Sequence, residues 1–331
     1  MIKIGLQLPN FTFPGVGPED LFERVASIAV TAEQSGFDTV MVMDHFFQLP
    51  LLGPPEHDMF EAYTLLSALA ARTSKVLLGT LVTGVTYRHP SLLAKEVTAL
   101  DVISKGRAYL GIGAAWFEEE HRALGFTFPP VKERMDRLEE AILINRALFR
   151  DERVTFSGRY YQLEDAFNHP RPLRPGGPPI MVGGGGERRT LRLAAQYADM
   201  WNFPGTLGEV PAKMDALVRH CEDVGRDPAT INKTMLNSLL LGRTMEDAIA
   251  KRDELFRSRG MDPATLDQAF LDAITGRMAI GDPDTVGERC EAILAAGLDG
   301  LTFNMPADAH DLDSVAFAGE VLSSVMASHR R

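Results

Sequence analysis

Short apolar runs alternate with longer stretches of helical period along almost the whole chain, a pattern that predicts a repeated strand–helix unit. Residues 2–9 read as the first strand, and 19–35 as a helix closed by Gly36. Residues 39–43 form the second strand, 60–72 a helix, and 76–85 the stretch that holds the third strand. His89-Pro90 starts a helix over 91–104, and 107–113 is the fourth strand. A short helix over 116–121, a long one over 132–149 and a small hairpin over 153–163, turning at Ser157-Gly158, come next. A proline-rich connector over 170–179 then leads into the fifth strand, Ile180-Met181-Val182, and a helix over 188–197. The sixth strand is 199–203, a helix covers 210–224, and the seventh strand is 231–241. Two helical patterns, 245–258 and 263–275, exceed what one crossover needs and predict a helical insertion between the seventh and eighth strands. A last crossover helix over 283–296, the eighth strand over 301–305 and a terminal helix complete the chain. Eight strands alternating with helices predict an α/β fold of the (β/α)8 TIM-barrel type, with residues 1–331 as one domain.

In such a barrel the active site lies at the carboxyl ends of the strands. The residues gathered there are Gln7, Asn10, Asp44, His45, Thr83, Gly84, Gly113, Ala114, Ala115, Trp116, Trp201, Asn202, Asn304 and Met305, with Gly183, Gly184, Gly185 and Gly186 after the fifth strand. One or two glycines suffice to turn a strand into a helix, so four imply that the backbone also approaches a ligand closely. Exposed peptide N–H groups and the positive end of the following helix make that turn a candidate phosphate seat.

The rim is short of charge, which removes two barrel chemistries. A Schiff-base aldolase needs a lysine there, yet Lys3, Lys75 and Lys105 all stand before strands or at their starts. A metal-dependent hydrolase wants paired histidines on an early strand, and Gln7-Leu8-Pro9 offers none, so no metal is expected. Small residues on the third, fourth and fifth strands suit a large flat ligand with a phosphorylated tail, such as a redox cofactor. The net charge of −11, with no cluster of Lys or Arg, argues against nucleic acid and anionic membranes and for a small-molecule substrate. Met1-Ile2-Lys3-Ile4 enters a strand pattern directly, and no apolar run of membrane-spanning length occurs, so the expected location is cytoplasmic. Cys221 and Cys290 lack metal spacing and read as packing or surface residues of a reducing compartment.

Five segments in register resemble the bacterial luciferase-like family, especially its branch using the deazaflavin coenzyme F420. They are Asp44-His45, the run from Gly79 through Thr83-Gly84-Val85 to Tyr87-Arg88-His89-Pro90, Ser104-Lys105-Gly106-Arg107, the run Gly111-Ile112-Gly113-Ala114-Ala115-Trp116, and the glycine run. The resemblance implies a commonly dimeric (β/α)8 barrel with the ring at its mouth. It also implies a non-prolyl cis peptide in the third strand, at Leu81–Val82 by segment length, forming a bulge behind the ring. Carried over, Asp44 and His45 match the pair near the ring, and His45 becomes the candidate that exchanges a proton as hydride moves. The alternative role for His45 is a ring contact or simple packing. The glucose-6-phosphate-oxidising relatives carry a Glu acid where this chain has Trp116, which argues against that substrate. Trp116 is expected to wall the substrate side, Glu118-Glu119-Glu120 to be the charged first turn of a helix, and Arg134 and Arg137 to lie on a solvated helix face. FMN relatives often place Ser or Thr hydroxyls in the phosphate loop, and glycines alone favour coenzyme F420. The leading expectation is an F420-dependent oxidoreductase. An FMN-dependent monooxygenase and a non-catalytic flavin or deazaflavin carrier are the alternatives.

Overall fold

The computed structural model describes residues 1–50 and 52–329. The first part of the chain runs β1 (Ile4–Leu8), α1 (Pro18–Ser35), β2 (Thr39–Val42), α2 (Ala62–Arg72), β3 (Leu77–Thr80), β4 (Thr83–Gly84), α3 (Pro90–Ile103), β5 (Leu110–Gly113), α4 (Glu118–Leu124) and α5 (Val131–Arg150). A hairpin of β6 (Val154–Ser157) and β7 (Gln162–Ala166) precedes β8 (Ile180–Gly183), α6 (Thr190–Tyr197), β9 (Met200–Pro204) and α7 (Val210–Asp223). The chain closes with β10 (Asn232–Leu241), α8 (Met245–Ser258), α9 (Gln268–Thr275), β11 (Met278–Gly281), α10 (Pro283–Ala295), β12 (Gly300–Asn304) and α11 (Leu312–Ser328).

The large sheet is parallel in the order β3-β2-β1-β12-β10-β9-β8-β5-β4. A bridge from Leu78 to Ala108 ties β3 to the chain entering β5 and closes the ring. With β3 and β4 as halves of one strand, eight strand positions form the (β/α)8 barrel among the described residues. β1, β2 and β12 are buried at every residue, as strands with a packed interior on one face and helices on the other must be. Alternation divides their side chains. Ile2, Met41, Leu81, Tyr109, Met181 and Met200 cluster inside the barrel, while Val40, Val42, Ile180 and Val182 join the larger core under the helices. The apolar plug fills the lower barrel, and the polar Gln7 and Asn304 stand above it on β1 and β12.

Several boundaries move. The third strand is broken between β3 and β4 by a cis peptide at Leu81–Val82, the bond at which the family resemblance places one. Thr80 bridges the break: its hydroxyl accepts the Thr83 N–H at 3.1 Å and donates to the Gly111 carbonyl at 2.9 Å. The hairpin turns over 158–161, one step beyond Ser157-Gly158. Between β10 and β12 the chain holds α8 and α9, and also β11, which pairs with Ser238 through Leu241 of β10. Four residues between Gly276 and Gly281 are too short a signal to stand out beside two helical periods. Cys221 and Cys290 are buried free thiols, so both pack and neither is a surface residue. No helix among the described residues is long and apolar enough to cross a membrane.

Candidate active site

Asp44 and His45 follow the end of β2 and diverge. Asp44 turns inward, 2% exposed, and takes both terminal nitrogens of Arg88, at 2.6 and 3.0 Å. Arg88 also meets Glu61 at 2.5 Å and Glu96 at 3.0 Å, so the buried Asp44–Arg88 pair is the core of an ion cluster whose outer carboxylates reach solvent. His45 instead remains at the mouth, its side chain 12% exposed, with Nδ1 3.1 Å from Oε2 of a fully buried Glu120.

Glu118-Glu119-Glu120 form the charged first turn of α4, as expected, and Glu120 alone of the three is buried. Successive helical residues are about 100° apart, so when Glu118 and Glu119 face water the third acid of α4 turns inward. Its carboxylate accepts from the Phe46 and Phe47 N–H groups at 2.5 and 2.7 Å, from the Tyr87 hydroxyl, and from His45. Burial works to raise its pKa, but the hydrogen bonds from His45, Tyr87 and Phe47 outweigh burial and hold it below the ordinary glutamate value. An ionised Glu120 accepts only, so His45 donates through Nδ1, and in the neutral ring the free imine nitrogen is Nε2. Nε2 has no hydrogen-bond partner among the described residues. The signal for an inward Glu120 was present: Phe117 lies three residues earlier on the same helical face.

Tyr87 stacks on His121 with centroids 4.5 Å apart. His121 donates Nδ1–H to the Phe117 carbonyl at 2.7 Å and accepts from Thr86 at 2.6 Å. Burial pushes its pKa down, so it packs as a neutral ring. The rim is therefore richer in titratable groups than its sequence suggests, since Glu120 and Tyr87 come from segments whose facing the linear pattern leaves open.

Trp116 is 62% exposed and stands edge-on to His45 at 5.8 Å. Ala115 before it adopts φ 60°, a left-handed conformation that turns the chain out of the barrel. The carbonyl of Ala114 accepts from Arg134 Nε at 3.1 Å, and the guanidinium lies 3.9 Å over Phe128. Arg134, 9% exposed, thus braces the rim and is no solvated residue, whereas Arg137 pairs with Glu133 one helical turn back.

Part of the space at the small residues is already filled. A β-carbon on Gly113 or Gly183 would stand 2.9 or 2.7 Å from Val82 Cγ2, and one on Gly84 would stand 2.7 Å from the Tyr87 ring. Val82 therefore occupies the centre of the mouth, and the Leu81 carbonyl beside it accepts from Gln7 at 3.2 Å. Asn304 donates in turn to Gln7 Oε1 at 3.2 Å and leaves its own Oδ1 buried with no hydrogen-bond partner among the described residues.

The glycine turn is different. Gly184 has φ 122°, its N–H donates to Asn202 O at 2.8 Å, and its carbonyl accepts from Trp201 Nε1 at 2.9 Å. Trp201 is itself held by stacking on Phe203 at 4.9 Å, so the turn rests on a rigid aromatic wall. A β-carbon on Gly185 would meet nothing nearer than Lys213 Cε at 3.6 Å, an ordinary contact. The N–H groups of Gly185 and Gly186 find no acceptor among the described residues. Nothing in the protein itself demands glycine at 185.

The family described as luciferase-like monooxygenase matches residues 2–300. An F420-dependent glucose-6-phosphate dehydrogenase of Microbacterium testaceum is 38% identical over 316 residues, covering 88% of each chain. Among solved structures, monooxygenase RslO1 from Streptomyces bottropensis superposes with a TM-score of 0.81 at 21% identity over all of both chains. An F420-dependent secondary alcohol dehydrogenase in complex with an F420–acetone adduct gives 0.78 at 22% identity, over 100% of this chain and 99% of that one. At those identities the two structures speak to fold alone.

Proposed function

This chain belongs to the luciferase-like monooxygenase family, and from that premise we propose that it is a coenzyme F420-dependent oxidoreductase acting on a small organic substrate. The observation that carries the reading is the His45–Glu120 pair at the barrel mouth, an imidazole fixed through Nδ1 with Nε2 free. Kinship with a relative named for F420 dependence supports the coenzyme. The residues present fit such a group: Gly185 and Gly186 offer uncommitted N–H groups to a phosphate, and Asn304 Oδ1 is a buried acceptor lacking a donor among the described residues.

Gly185 and Gly186 would hold the phosphate, with Lys213 beside them, while Gly183 and Gly184 would shape the turn that presents them. Leu81 and Val82 would back the ring, Gly84, Gly113, Ala114 and Ala115 would wall it, and His45 and Trp116 would face the substrate side. Asp44 would act indirectly, by anchoring the strand end that carries His45. When bound, the deazaflavin supplies a carbon centre that accepts or gives a hydride. His45 Nε2 then takes the hydroxyl proton when an alcohol is oxidised and returns it when a carbonyl is reduced. Glu120 keeps the imidazole in the tautomer this requires and stabilises the positive charge on His45 while it holds the proton. Trp116 gives a substrate a flat apolar wall in place of the carboxylate of the glucose-6-phosphate-oxidising relatives, so we propose an organic substrate other than glucose 6-phosphate. We extend the reading to a cytoplasmic homodimer of single-domain chains, supported by the family resemblance and the composition.

Titration of the purified protein with coenzyme F420 and with FMN, followed by fluorescence, tests the coenzyme. Tighter binding of F420 is expected. Preference for FMN would turn the reading to a monooxygenase, and binding of neither would overturn it. At saturating coenzyme, with a panel of small alcohols and ketones, His45→Asn should lower turnover by about 10²- to 10⁴-fold with coenzyme affinity kept. Parent turnover in the variant would reduce His45 to a wall of the pocket.

A further inference from the structure

The other end of the barrel holds a second feature. The amino ends of β3, β8 and β9, marked by Leu77, Ile180 and Met200, floor a cleft of about 380 Å³ walled by the end of α5 and the connector before β8. Arg146, Arg150 and Arg174 line it, and Asp199 is the one acid among the lining residues. In a chain of net charge −11 this is a local reversal of sign.

Two neighbouring arginines show what a structural guanidinium does in this region. Arg171 donates to the carbonyls of Leu148, Phe149 and Asp151, at 3.2, 3.0 and 2.8 Å, and closes the end of α5. Arg226 likewise spends its donors on Ala194, Ala195 and Thr230. The arginines of the cleft differ. Arg146 makes one bond, to Tyr197 O at 2.5 Å, Arg174 makes one, to Gly106 O at 3.0 Å, and Arg150 has no partner among the described residues. A guanidinium carries five N–H donors, so most of theirs remain unspent. Asp199 compensates only in part: its charge favours the charged form of Arg146, Oδ2 accepts the Ile180 N–H at 2.9 Å, and one carboxylate stands against three guanidiniums. The crowding is felt: burial and then the neighbouring charge of Arg150 push the Arg146 pKa below its ordinary value.

We propose that this cleft binds a phosphate-class dianion, either free phosphate or the phosphate group of a small ester. Planar guanidiniums match phosphate oxygens in pairs, and three cations against one committed carboxylate call for about two negative charges. The volume exceeds that of bare phosphate and leaves room for a short organic remainder. The site opens at the amino ends of the strands, so it is separate from the mouth and independent of the coenzyme assigned there.

Calorimetric titration of the whole 331-residue chain with inorganic phosphate and with glycerol 2-phosphate, at ionic strength matched with chloride, tests the proposal. Saturable millimolar or tighter binding of at least one is expected. Arg150→Ala, at a residue with no internal partner, should weaken it about ten- to hundredfold while thermal midpoint and coenzyme titration stay unchanged. The ester binding more tightly identifies a metabolite site, and equal affinities identify a site for the free anion. Absence of saturable binding, or binding indifferent to both Arg150→Ala and Arg174→Ala, would overturn the proposal.

Discussion

Glu120 shows how one residue sets the character of the site. Its carboxylate faces four donors, and an amide in its place would turn an NH2 group toward at least one of them. Glu120→Gln should therefore cost on the order of 1–3 kcal/mol, read as a lower urea midpoint. Its pH dependence has a definite sign. The folded pKa is depressed below 4.5, so the stabilisation is present above the unfolded value and lost as pH falls through the folded one. The variant should lose less stability than the parent on acidification below about pH 4.5. An equal acid-side slope in both would show that the pairing with His45 does not persist in solution.

At the scale of elements, the turn after β8 contains glycines of two kinds. Gly183 is small because Val82 lies over it, and Gly183→Ala should destabilise the barrel by about 1–3 kcal/mol through overpacking. Gly185 has room for a side chain, so Gly185→Val should keep the thermal midpoint and lose coenzyme affinity. The reverse pattern, an unfolded Gly185→Val or an unperturbed Gly183→Ala, would contradict this division. Four glycines in a row are legible in the sequence as a close approach, but not which are crowded by the protein and which are open. That depends on Val82, about 100 residues away in sequence and brought over Gly183 only by the closing of the barrel.

On the scale of the molecule, the Arg88 cluster joins the end of β2, the start of α2 and the face of α3 through Asp44, Glu61 and Glu96. Three carboxylates share one guanidinium, and burial, ahead of the opposing pull of Arg88, raises the Glu96 pKa to about 7. A raised folded pKa means that the folded protein holds this proton more tightly than the unfolded chain does. Its stabilisation is full below the ordinary glutamate pKa of 4.5 and is lost as pH rises through about 7. Glu96→Gln should remove that loss, making the variant more stable than the parent above pH 7 by on the order of 1–3 kcal/mol. Chemical denaturation at pH 5 and pH 8 measures it, and a parent as stable at pH 8 as at pH 5 would refute it.

The sequence by itself determined the barrel and the location of its mouth. Strand and helix periods are local, and eight alternations of them admit few architectures. It also marked His45, Trp116 and the glycine turn, because their residue types stand at strand ends where a barrel gathers ligands. Only the tertiary structure decided their surroundings. Asp44 and His45 are adjacent in sequence, yet one is sealed against Arg88 and the other is paired with Glu120 at the mouth. Glu120 lies 75 residues from His45, and its two neighbouring acids face water. Which of three consecutive glutamates is buried, and what waits for it there, follows from how α4 packs across the end of β2. That is a long-range fact, which no local period encodes.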